Sequence, residues 1–138
     1  MDEALHIAVQ RWLEKAANDL KTAETMLTVS PAVTDTSCFH AQQCMEKALK
    51  ACLTLAGRHI EKTHSLPRLV ELCSADFESV AQMADVAIDL TDYAVESRYP
   101  DDWREIPLSE AQAAVQKAGE VFDSIRLELS RRMGGAKF

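Results

Sequence analysis

Phe39-His40-Ala41-Gln42-Gln43-Cys44-Met45-Glu46-Lys47-Ala48-Leu49-Lys50 reads as the middle of a helix. Ala41, Met45, Ala48, Leu49, Cys52 and Ala56 fall on one apolar face at helical spacing. Ser30-Pro31 and Thr34-Asp35-Thr36 mark a loop before it, with an N-cap at the loop's end, and Gly57 suits a C-terminal cap. Working outward, Leu5, Ala8, Trp12, Ala16, Leu20, Ala23 and Leu27 recur at three- and four-residue intervals, which predicts a first helix over about 4–27. Beyond a short connection at 58–63, Ser65 can cap a third helix carrying Leu66, Leu69, Val70 and Cys73, with Pro67 tolerated in its first turn.

Residues 75–79 read as a turn and about 80–97 as a fourth helix, with Leu90, Tyr93 and Ala94 inward and Pro100 ending it. The two prolines and acidic residues of 98–107 predict a loop. Ser109-Glu110-Ala111-Gln112 matches a capping box for a long last helix. Ala111, Val115, Ala118, Phe122, Ile125 and Leu129 form its stripe, and Gly134-Gly135 closes it. The expectation is an all-α bundle of four to five helices, a single domain over 1–133 with a loose tail at 134–138.

Composition supports a self-folding domain: 138 residues, of which 47% are hydrophobic, with only four glycines and four prolines. The net charge of −7 argues against broad electrostatic binding to nucleic acid or an anionic membrane, though not against a local basic cleft. No apolar run approaches a membrane span, and Met1-Asp2-Glu3 lacks the basic start of a secretory signal. Cys38, Cys44, Cys52 and Cys73 show no CxxC spacing, so they read as reduced, buried thiols of a cytoplasmic protein. No cofactor or metal is expected.

His40, Gln43, Lys47 and Lys50 lie on one polar stripe of the second helix. The stripe is either a solvated face, which the i, i+4 pair Glu46 and Lys50 favours, or a surface that meets phosphate. Thr63-His64-Ser65 at a helix start is either a plain N-cap or an anion site. Arg98 and Tyr99 sit where the fourth helix breaks, and a guanidinium there can grip phosphate. Asp101, Asp102 and Glu105 make the neighbouring loop acidic. Glycine-rich phosphate loops, GxSxG and HExxH are absent, and the two ExxH strings, Glu3 with His6 and Glu61 with His64, fall at a terminus and in a connection.

Trp12-Leu13-Glu14-Lys15-Ala16-Ala17-Asn18-Asp19-Leu20, Ala41 to Lys50, Thr63-His64-Ser65-Leu66, Leu90-Thr91-Asp92-Tyr93 and Arg98-Tyr99-Pro100, in this order, resemble the HEPN family over roughly 12–125. The resemblance implies an up-and-down helical bundle that forms a homodimer with a cleft between subunits. It also implies a partner, since many members act with a separate minimal nucleotidyltransferase, often as a toxin–antitoxin pair. In such a protein Gln43, Lys47, Thr63, His64, Asp92, Arg98 and Tyr99 would form a site for a nucleotide or RNA phosphate. Lys47 and Arg98 would hold phosphate, Thr63 and His64 would add hydrogen bonds, Asp92 would orient a basic partner, and Tyr99 would stack or pack. Other members are metal-independent ribonucleases with an Arg followed, after four to six residues, by a His. Counting from Arg98, those positions hold Trp103, Arg104 and Glu105, so the motif's histidine is missing. Arg58 and His64 have the spacing but precede the third helix. The alternative is thus a ribonuclease using Arg98 with an unrecognised base, or Arg58 with His64.

Overall fold

α2 (Thr34–Leu55) is the axis of the molecule, with α1 (Glu3–Thr28) and α5 (Leu108–Arg132) packed along it. α3 (Leu66–Ser74) packs on α2, α4 (Ala84–Leu90) packs mainly on α3, and 3-10 turns at Glu78–Met83 and Thr91–Ala94 flank α4. This is a computed structural model, and it describes residues 2–94 and 104–138; among these there are five α-helices and no strand. The contacts between α1 and α2 run antiparallel. Ser37 bonds to the carbonyl of Ala23, His40 and Lys47 reach Asp19, and Lys50 lies over Trp12, so partner numbers fall on one helix as they rise on the other. Small buried residues permit the close approach: Ala16 and Ala23 on α1, Ala41, Ala48 and Ala51 on α2, and Ala111, Ala114 and Ala118 on α5.

Most boundaries follow from local chemistry. Ser65 caps α3 by accepting from the Arg68 amide at 3.3 Å. Gly57, at φ +70°, ends α2 in a Schellman turn, where the Arg58 amide bonds to the Leu53 carbonyl and the Gly57 amide to that of Thr54. Gly134 and Gly135 also have positive φ and close α5. The stripe expected on α5 is buried throughout.

The structure corrects three expectations. A continuous helix over 80–97 does not form: residues 78–83 are a 3-10 turn and α4 is only Ala84–Leu90. The buried residues Phe77, Val80 and Met83 are spaced by three, which matches the three residues per turn of a 3-10 helix. Ser109 does not cap α5, which begins at Leu108 without a side-chain cap, and α2 begins at Thr34, whose hydroxyl instead donates to the Ile106 carbonyl. On α1 the fully buried line is Val9, Leu13, Ala16 and Ala23, with Leu5, Trp12, Leu20 and Leu27 partly buried beside it. At the C-terminus Ser130 donates to the Ala136 carbonyl, and Phe138 stacks on His6 with ring centroids 5.3 Å apart.

No helix is long and apolar enough to cross a membrane, among the described residues. None of the four cysteines is in a disulfide, and all are buried. Burial pushes the Cys44 thiol up to about 12, and a hydrogen bond with Cys73, then burial, raises that of Cys52.

Candidate functional site

The polar stripe of α2 is not a solvated face, because two buried carboxylates hold its cations. Asp19, on α1, accepts from His40 Nδ1 at 2.7 Å and from the Lys47 ammonium. Glu46, on α2 itself, accepts from Lys50 Nζ at 3.0 Å and from His64 Nδ1 at 2.9 Å. The Gln42 and Gln43 amides each approach Glu46 Oε1 at 3.4 Å. Both carboxylates lie inside the packing, at 9% side-chain exposure for Asp19 and 4% for Glu46. A charge so placed is tolerable only when its lone pairs are filled, and the donors on Glu46 fill them.

His64 is fixed on all sides but one. Its carbonyl accepts from Gln42 Nε2 at 3.0 Å and from the Thr91 hydroxyl at 3.5 Å. Thr63 Oγ1 accepts from the Ser65 amide at 3.1 Å, and Thr91 Oγ1 from the Leu66 amide at 3.0 Å. An ionised carboxylate only accepts, so the proton between His64 and Glu46 sits on Nδ1. Nε2 then faces outward, an acceptor in the neutral ring and a donor in the protonated one, and no described residue bonds to that atom. The side chain is 58% exposed although its partner is buried. The product is an outward-facing imidazole whose tautomer and angle are set from below.

The predicted residues divide accordingly. Gln43 joins the Glu46 network, bonding to Gln42 Oε1 at 2.7 Å, and Lys47 belongs to Asp19. Thr63 serves the local turn beside His64. Asp92 is exposed on the turn whose Thr91 holds His64, and no described residue pairs with it. Arg98 and Tyr99 lie outside the described residues, as do Asp101, Asp102 and Trp103. The two ends of that segment meet on Glu110, which accepts from Tyr93 Oη and from Arg104 at 2.7 and 3.1 Å. The Arg104 guanidinium, then Tyr93, holds the Glu110 carboxyl below its usual value.

Arg58 is not paired with His64. Its guanidinium grips Asp76 at 2.8 and 3.3 Å, while His64 is held by Glu46. Glu61 and His64 of the second ExxH string also part company, Glu61 bonding to Arg68 at 2.8 Å. Among the described residues no group of three or more His, Cys, Asp or Glu side chains could hold a metal ion. Sequence reasoning missed Asp19 and Glu46 as the anchors. The available signal was position: Asp19 falls between Ala16 and Ala23 on the buried line of α1, and Glu46 between Gln42 and Leu49 at the edge of α2's buried face.

A HEPN domain model matches residues 9–128. The chain belongs to the HEPN domain family. Two crystal structures share its fold. TT1696 from Thermus thermophilus is 27% identical, with a TM-score of 0.73 over 85% of this chain and 94% of its own. ST0689, described as an archaeal HEPN homologue, is 25% identical, with a TM-score of 0.67 over 87% of this chain and 96% of its own. No curated protein matches the chain.

Proposed function

We propose that this HEPN protein binds the phosphate of a nucleotide or RNA, and that it acts as a homodimer with a separate minimal nucleotidyltransferase in a pair of toxin–antitoxin type. The observation that carries the binding site is the outward imidazole of His64 braced by buried Glu46. Lys50 neutralises that carboxylate from behind, so an approaching anion meets a ring and not an uncompensated negative charge. A braced ring loses little freedom on binding, which favours affinity. Gln43 and Thr63 flank it, and Asp92 lies on the adjoining turn. Thermal unfolding with ribonucleotides or a short RNA tests this. A ligand at a hundred times its dissociation constant adds about 2.7 kcal/mol of stability. The shift disappears in His64→Ala if the reading holds, and a full shift in that variant contradicts it.

One observation favours the ribonuclease reading as second choice. A histidine whose Nδ1–H is held by a carboxylate can take a proton at Nε2, as removal of a ribose 2′-hydroxyl proton requires. Its cation would be Arg98, since Asp76 occupies Arg58. Cleaved RNA with 2′,3′-cyclic phosphate ends, lost in His64→Ala, supports it; intact RNA after prolonged incubation rejects it.

A further inference from the structure

Arg11 and Lys15 stand one turn apart on α1, on either side of Trp12 in sequence. Among the described residues every other arginine is in an ion pair: Arg58, Arg68, Arg104, Arg126, Arg131 and Arg132. Arg11 has no such partner, and neither has Lys15. Like charges at i, i+4 repel, and neither Arg11 nor Lys15 is in an ion pair with a carboxylate. Both side chains are exposed, and with Ala8 and Trp12 they line a shallow cleft of about 260 Å³.

The cleft adjoins the candidate site. Lys50 Nζ lies 5.8 Å from the centroid of the Trp12 ring, and the same ammonium bonds to Glu46, which holds His64. Trp12 is only partly buried, so the ring that Lys50 touches also opens into the cleft. A chain of contacts therefore links the indole of the cleft to the braced imidazole through the buried Lys50 and Glu46 side chains. The cleft carries the unpaired positive charge of Arg11 and Lys15 in a protein of net charge −7. Cations along a groove with an aromatic ring between them suit a single strand, whose phosphates take the charges and whose bases stack on the ring.

We propose that α1 carries a single-stranded RNA site in which Trp12 stacks a base and Arg11 and Lys15 contact the flanking phosphates, with the strand leading to His64. The proposal rests on the phosphate-binding reading above and names its ligand. On this proposal the strand lies along α1 and continues toward the His64 side of α2.

The test uses the full chain with Trp103→Phe, which leaves Trp12 as the one tryptophan. The probe is a six-residue oligoadenylate, followed by Trp12 fluorescence and, with a fluorescein label, by anisotropy. The expected result is saturable quenching of Trp12 at the concentration where anisotropy rises. Arg11→Ala with Lys15→Ala should then weaken binding about tenfold and lower the slope of log affinity against log salt by about 1.4, at about 0.7 per phosphate contact. Circular dichroism of the double variant should be unchanged, because both side chains are exposed. RNA binding that depends on His64 but leaves Trp12 unquenched, and ignores the double variant, overturns the α1 site and leaves the phosphate reading standing. No anisotropy change with any form removes both.

Discussion

Asp19 and Glu46 are the buried carboxylates of the described residues, and each clamps one lysine and one histidine. Their difference lies in where the histidine comes from. His40 is part of α2, one turn before Cys44, and its ring is 29% exposed with Phe39 edge-on at 5.3 Å. The Asp19 clamp therefore staples α1 to α2. His64 comes from the connection before α3, and its ring is twice as exposed. The Glu46 clamp reaches outward to a loop residue and holds it still. A buried ion pair is weak evidence for stability, since desolvation offsets attraction. A buried carboxylate that fixes an exposed imidazole is better evidence for use, because folding alone has no need of that orientation.

Substitutions can break this contrast, the largest effect first. Glu46→Ala strands the Lys50 ammonium inside the packing and should cost about 3–5 kcal/mol in denaturant unfolding. Asp19→Ala should cost less, about 1–3 kcal/mol, because the Lys47 side chain is a quarter exposed and can rehydrate. Equal losses would mean the two clamps do the same structural work. His64→Ala and His40→Ala should each cost under about 1 kcal/mol, since both rings are partly solvated. A large loss in His64→Ala would turn that residue into a structural one.

Two smaller effects sharpen the picture of a dry interior beneath the clamps. The native protein should give no thiol reaction with a colour reagent at pH 8, and four thiols after denaturation, because all four cysteines are buried and Cys44 is pushed up to about 12. Fast reaction of a native thiol would show water reaching α2. Glu110, Asp76 and Glu61 have carboxyls held below their usual values, first by hydrogen bonds from Arg104, Arg58 and Arg68 respectively. A depressed folded value means stability that is present above the unfolded carboxylate value and is lost as pH falls through the folded one. The unfolding midpoint should thus drop on acidification from about pH 5 downward, and Glu110→Gln should flatten that drop slightly. An unchanged slope would show that the Glu110 contacts contribute nothing.

The long helices were legible because their apolar residues repeat with helical period, and Gly57 and Ser65 announced their caps. The region 75–94 was less so, since Phe77, Val80, Met83, Ala87 and Leu90 suit a continuous helix nearly as well as a 3-10 turn followed by a short one. Ser109 misled because a capping sequence need not cap when proline already sets the entry. At the site, His64 was legible from its place at a helix start. Its anchor was not: Glu46 resembles the acidic half of an ordinary surface i, i+4 pair, and only tertiary packing buries it. Asp19 was hidden likewise, as one charge in a helix full of them.

The central claim is that the Glu46 clamp presents a binding group and the Asp19 clamp does not. Anisotropy of labelled oligoadenylate with wild type, His64→Ala and His40→Ala tests it most directly. The account predicts at least about a tenfold loss of affinity in His64→Ala, equivalent to about 1.4 kcal/mol, and wild-type affinity in His40→Ala. Equal loss in both variants, or loss in His40→Ala alone, would contradict it.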